Sequence, residues 1–181
     1  MFDDTATISL GFDSSSGATF SYLYPNVTGG TAAVSAGGSN AGGDAVASQL
    51  SGIAVGTTNV SLVLPAPISA VLPADTATGI GTSTDFNWTA STGGNIVYIL
   101  LISAGGAGQP GFAVFTTGTT ARIPDLSAQG LGLPAAANYS WTVLAVGPHA
   151  SVDSAAGAKS ILPTGNTLNQ AQTNSRSFTT P

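Results

Sequence analysis

The run "NYSWTVLAV" at residues 138–146 places Tyr139, Trp141, Val143 and Ala145 two apart. Side chains two apart share one face of a β-strand, so this stretch predicts a strand whose inner face is aromatic at one end and aliphatic at the other. Nothing elsewhere in the chain pulls toward helix. No long segment repeats its apolar residues every 3.6 positions, and the charged helix formers are nearly missing: the chain has no Glu, one Lys (Lys159) and two Arg (Arg122 and Arg176). The expectation is an all-β fold.

Apolar or alternating runs separated by Gly-rich and Pro-rich turns predict strands at 5–12, 17–24, 31–36, 46–55, 58–64, 84–90, 95–103, 111–117, 119–123, 138–146 and 175–180. That spacing is the signature of antiparallel β-sandwiches. Residues 37–45, "GGSNAGGDA", read as a flexible loop. "LPAPISAVLP", with prolines at 65, 67 and 73, reads as a stiff connector, since proline removes a ladder donor and biases its predecessor toward extended backbone. Two small sandwich modules in tandem follow, residues 1–67 and residues 68–181, the second carrying a long insertion at 149–174. Loops longer than about 12 to 15 residues are usually functional or disordered, so the insertion is expected to be a contact surface or mobile.

Composition narrows the partners. Charged residues make up 6% of the chain, against about 25% in ordinary soluble proteins. A net charge of -5 with three cationic side chains cannot track a phosphate backbone, which takes clustered Lys and Arg, and nucleic acid is not an expected partner. The chain has no cysteine, which removes disulfides and thiolate metal sites. "MFDDTATISL" has neither a basic segment nor an apolar core of the signal-peptide kind; an exported form would be a mature chain with Met1 added. The longest strongly apolar run, "IVYILLI" at 96–102, falls far short of the roughly 20 residues of a membrane-spanning helix. An outer-membrane barrel is the alternative fold, but continuous apolar runs favour a strand buried on both faces.

From Ile68 onward the order of features resembles a fibronectin type III domain. "VLPADTATGIGTSTDFNWTA" supplies Pro73 and then Trp88, "NIVYILLIS" supplies Tyr98, and "IPDLSAQGLGLPAAANYSWTVLAVGP" supplies Leu126 or Leu131 followed by Tyr139. The resemblance implies that Trp88, Tyr98, Tyr139 and Trp141 form the core. It also implies that the Tyr139 hydroxyl bonds back to the backbone as a tyrosine corner and that "SRSFTT" is the last strand. The loop before Tyr139 and the 149–174 segment are both longer than that family's pattern. The first module is similar to the carboxypeptidase regulatory or transthyretin-like β-sandwich modules of bacterial surface lipoproteins, through the alternation in "VSLVLP" after "SGIAVGTT".

Catalytic chemistry finds little support. His149, Ser151 and Asp153 supply the residue types of a hydrolytic triad, yet such closely spaced positions on one extended segment do not converge, and His149 reads as a solvated loop histidine. The carboxylates Asp3, Asp4, Asp85, Asp125 and Asp153 are scattered among tail, strand and loops. Asn40 with Asp44, or Asp13 alone, supplies too few oxygens for calcium. No cofactor and no metal is expected, and the chain is not expected to be an enzyme. Four N-x-S/T sequons, at Asn26, Asn59, Asn87 and Asn138, fit coincidence in a chain rich in Ser and Thr.

What remains is contact. The expectation is a non-catalytic extracellular or cell-surface protein acting through protein contacts, by self-association through β-edges or with a protein partner; the alternative is a carbohydrate-binding accessory module. Ile8, Leu10 and Phe12 share one strand face and Phe20, Tyr22 and Tyr24 another. Each is a candidate partner-binding face, with the structural core as the competing role. No Lys, Arg or Glu precedes Arg122, so early sheet edges lack the charges that normally discourage strand addition.

Overall fold

The computed structural model describes residues 28–157 and 167–181. The strands expected at 5–12 and 17–24, with Ile8, Leu10, Phe12, Phe20, Tyr22 and Tyr24, lie outside the described residues. The described strands are β1 (Thr31–Ser39), β2 (Ala45–Ala54), β3 (Ala70–Leu72), β4 (Ala77–Thr78), β5 (Phe86–Trp88), β6 (Val97–Ala104), β7 (Phe112–Thr116), β8 (Thr120–Ala121), β9 (Asn138–Gly147), β10 (Thr167–Gln172) and β11 (Arg176–Thr179), with one short helix, α1 (Val152–Ala156). The fold is all-β, with two sheets facing each other as in a sandwich.

Strand β9 is the axis of the larger sheet. One edge pairs antiparallel with β6 from Val97↔Val146 to Ala104↔Tyr139, and β6 pairs in turn with β7. The other edge pairs first with β10 and then with β11. Four residue steps from Gln172 to Arg176 oppose three from Leu144 to Trp141, so β10 and β11 are two halves of one strand interrupted by a bulge. Thr173 fills the interruption. Its N–H donates to Val143 O at 3.0 Å, and its hydroxyl accepts from Val143 N at 3.0 Å in place of a carbonyl.

The alternation in β9 buries Tyr139, Trp141, Val143 and Ala145 on one face, where they meet Phe86 and Trp88 of the small sheet β3-β5-β8. Phe86 lies edge-on to Trp141 at 5.2 Å between ring centroids, and Tyr139 stacks on Phe178 at 5.5 Å. Tyr98, Leu100 and Ile102 of β6 complete that layer. The opposite face carries a smaller cluster, Ile99, Leu144 and Val146, with Leu101, Phe115 and Leu168 at its margin. Strands β6 and β9 are thus apolar on both faces, which is why "VYILL" and "VLAV" read as unbroken runs rather than alternations.

Beyond β10 the larger sheet continues into β2 and β1. The ladder from Thr167↔Leu50 to Gln172↔Ala45 joins residues before the connector at 65–73 to residues after it. Residues 37–45, expected as a flexible loop, are strand at both ends: β1 runs through Gly37 and Gly38 to Ser39, and a tight turn over 40–44 leads into β2 at Ala45. Glycine is needed at position 37 because a Cβ there would sit 2.9 Å from Val46 O. The 58–64 segment, expected as a strand, joins no ladder. The 149–174 segment, expected as a loop, contributes α1, which packs on β7, and β10, which lies at the centre of the larger sheet.

Candidate functional site

Trp88, Tyr98, Tyr139 and Trp141 are between 1% and 4% exposed, so none offers a surface to a ligand. Tyr98 Oη accepts a hydrogen bond from Ser91 N at 2.9 Å. Tyr139 does not behave as a tyrosine corner: among the described residues its buried hydroxyl has no hydrogen-bond partner, and neither do the indole nitrogens of Trp88 and Trp141. Burial pushes the Tyr139 phenol above its ordinary range, because the charged form has lost its water. The Trp141 ring instead receives the Arg176 guanidinium, 5.9 Å from its centroid. Arg176 also donates to Ala70 O at 2.6 Å and to Val71 O and Pro73 O at 3.0 Å each, tying the end of β3 to β11.

The residues considered for catalysis do not converge. His149 is buried rather than solvated, at 8% exposure, and its backbone N–H donates to Asn95 O at 2.8 Å. Ser151 is the N-cap of α1, its hydroxyl accepting from Ser154 N at 3.1 Å, and Asp153 sits in that helix's first turn. Asp85 is held below the ordinary carboxylate range by hydrogen bonds from Arg122, 2.6 Å away across an exposed pair. Asp125 is lowered by hydrogen bonds from Ser127. Among the described residues no group of three or more His, Cys, Asp or Glu gathers as a metal site. Two of the sequon asparagines use their carbonyls within the fold, Asn87 accepting from Thr120 and Asn138 from Thr179.

Asp44 is the group that the sequence pattern hid. It is 6% exposed and gathers three separate segments. Oδ2 accepts from Ser69 Oγ at 2.6 Å and from Asn40 Nδ2 at 3.1 Å, while Oδ1 accepts from Asn174 N at 2.9 Å, the amide turned outward by the bulge between β10 and β11. Burial alone would raise its pKa, but the Ser69, Asn174 and Asn40 hydrogen bonds and the Arg176 charge outweigh it and hold the carboxyl below its usual range. The only available signal was Asn and Asp four apart around two glycines, which reads as a turn. Its partners at 69 and 174 are too distant in sequence to suggest themselves.

The β1-β2 hairpin has a different character from the sandwich. From residue 28 to residue 64 the only buried side chains are Asp44 and Ser48, both polar. Ser48 Oγ lies 2.8 Å from Val63 O and 2.7 Å from Asn169 Oδ1, so its one proton ties the hairpin either to the following segment or to β10. No Lys, Arg, Asp or Glu occurs in either strand of the hairpin. Val60, Val63 and Leu64 beside it are exposed, Val63 by 78%. A shallow depression open to solvent lies between β2 and this segment, lined by Leu50, Ile53, Thr57 and Val60. Among the described residues no helix is long and apolar enough to cross a membrane. Comparison of the chain with protein-family models, with curated proteins and with solved structures finds no match.

Proposed function

We propose that this protein is a non-catalytic β-sandwich of the cell surface or extracellular space that works through protein contacts in a larger assembly. The observation that carries the reading is the β1-β2 hairpin, which prolongs the larger sheet past the end of the core as an uncharged, half-exposed platform beside Val60, Val63 and Leu64. Exposed sheet and apolar surface of this kind are what one chain offers another. Four of the five described carboxylates, at positions 44, 75, 85 and 125, are engaged in hydrogen bonds within the fold, which suits a structural part rather than acid-base chemistry. The order of strands, β3-β5-β8 against β7-β6-β9 with β10 and β11, supports the fibronectin type III resemblance of the second half. The large exposed hydrophobic side chains among the described residues include no aromatic one, so no sugar-stacking platform stands out there. Sedimentation of the full chain over a wide concentration range tests the reading. Concentration-dependent growth above 17.6 kDa is expected, and a strict monomer that captures no other chain would overturn it.

A further inference from the structure

We infer that Asn59 is an N-linked glycosylation site, whose side-chain amide takes an oligosaccharide from a lipid-phosphate donor outside the cytosol. The inference rests on the extracellular reading above and adds a modification to it. Four N-x-S/T sequons occur in the chain, and the structure separates the three that it describes; Asn26 lies outside the described residues. Asn87 lies in β5 opposite Thr120, and its carbonyl accepts from the Thr120 hydroxyl at 2.7 Å. Asn138 opens β9 opposite Thr179, and its carbonyl accepts from the Thr179 hydroxyl at 3.0 Å. Neither can enter an enzyme's cleft without breaking a ladder. The third, "NVS", is different: Asn59, Val60 and Ser61 are all exposed, no residue from 57 to 69 belongs to a strand, and Asn59 has a φ of 58°. Asparagine tolerates that left-handed backbone better than most residues, and here it marks a bend at the surface.

The chemistry of the segment suits the transfer. The sequon pairs an asparagine amide with a hydroxyl two residues on, the arrangement that N-glycosylating transferases read, and Val60 between them is not proline. Asn59 Nδ2 attacks the anomeric carbon of the donor sugar: the new C–N bond replaces the C–O bond to phosphate, the lipid phosphate leaves with that electron pair, and the amide gives up one proton. The surroundings give the sugar a task. Val60 is an apolar side chain exposed by 39%, and charged residues make up 6% of the chain. A bulky, hydrated glycan at this place supplies solubility that charge does not. It also flanks the contact platform without belonging to either of its strands, since Asn59 follows the end of β2 at Ala54.

Mass spectrometry of the full chain, purified from the cells that make it, tests the inference. The fragment carrying Asn59 is expected to bear a glycan, and the fragments carrying Asn87 and Asn138 none. Ser61→Ala, a change at an exposed position that leaves Asn59 in place, is expected to abolish the modification and Ser61→Thr to keep it, both with an unchanged circular dichroism spectrum. An unmodified Asn59 in a chain recovered from the cell surface or the medium overturns the inference and leaves the assembly reading in place. So does a glycan that persists in Ser61→Ala, or equal occupancy at Asn59, Asn87 and Asn138, which would mean that the fold does not select the site. A chain found only in the cytosol and without glycan removes both the inference and the extracellular reading.

Discussion

Two parts of one sheet are held by different physics. Around β9, hydrogen-bonded ladders coincide with buried side chains on both faces, from Trp141 and Val143 on one to Leu144 and Val146 on the other. In the β1-β2 hairpin the ladder continues while burial stops, and the two buried side chains, Asp44 and Ser48, hold by hydrogen bonds. Burial of an aromatic or branched side chain contributes roughly 1.5–3 kcal/mol, whereas a net hydrogen bond contributes about 0.5–1.5 kcal/mol. Backbone pairing alone therefore extends a sheet but secures it weakly, and the hairpin should be the first described part to open.

Substitutions can break this contrast from either side. The largest effect is expected in the core: Trp141→Ala removes a 1%-exposed side chain packed on Phe86 and should cost about 3–5 kcal/mol. The denaturation midpoint reads the loss, which should strike the whole fold. Asp44→Ala leaves the Ser69 hydroxyl and the Asn174 amide without their acceptor, at about 1–3 kcal/mol. Here proteolysis should begin in residues 28–64 with the sandwich intact. Ser48→Ala removes one hydroxyl shared between Val63 and Asn169, for about 1 kcal/mol.

Acid sharpens the same comparison. The Asp44 carboxyl is held low in the folded state by Ser69, Asn174 and Asn40 against the opposing effect of burial. Its stabilisation is therefore fully present above the unfolded value of about 3.9 and fades as pH falls through the folded value. Asp75, lowered by Ser177, titrates with the same sign. Hairpin opening should be acid-sensitive below about pH 4 in the parent chain and much less so in Asp44→Asn. Equal acid sensitivity in both proteins would assign the effect to other carboxylates.

The smallest effect is expected at Tyr139→Phe. A tyrosine corner would lose a hydrogen bond, but among the described residues the buried hydroxyl has none to lose, so the substitution should fall within about 0.5 kcal/mol of neutral or stabilise. A loss above about 1 kcal/mol would reveal a bonded hydroxyl and restore the corner.

Where side-chain burial shapes the structure, the sequence was readable. Trp88, Tyr98, Tyr139 and Trp141 stand out because strand alternation and bulk coincide at buried positions. Where hydrogen bonds dominate, it was not. The strand β10, "TLNQAQ", carries amides along much of its length because it lies between β9 and β2, beyond most of the core, and only Leu168 and Ala171 hint at burial. Gly37 and Gly38 imitate a loop, although a close approach of Val46 O dictates glycine at position 37 within β1. "TNVSLVL" alternates like a strand yet pairs with none, since alternation records which faces are apolar and not whether a neighbour's ladder is within reach. Asp44 joins residues 25 and 130 positions away, contacts that local periodicity does not carry.

Native-state hydrogen exchange tests the contrast between core and hairpin most directly. Amides that pair β2 with β10 and those that pair β9 with β6 belong to the same sheet and can be followed in one experiment. If ladder and polar clamps alone hold the hairpin, the β2 amides should open at a free energy several kcal/mol below that of the β9 amides, which should approach the global value. The gap should widen in Asp44→Ala, as hairpin protection falls toward zero with β9 protection retained. Equal opening free energies for β2 and β9 in the parent chain, falling together in Asp44→Ala, would contradict the account and make the hairpin part of the cooperative core.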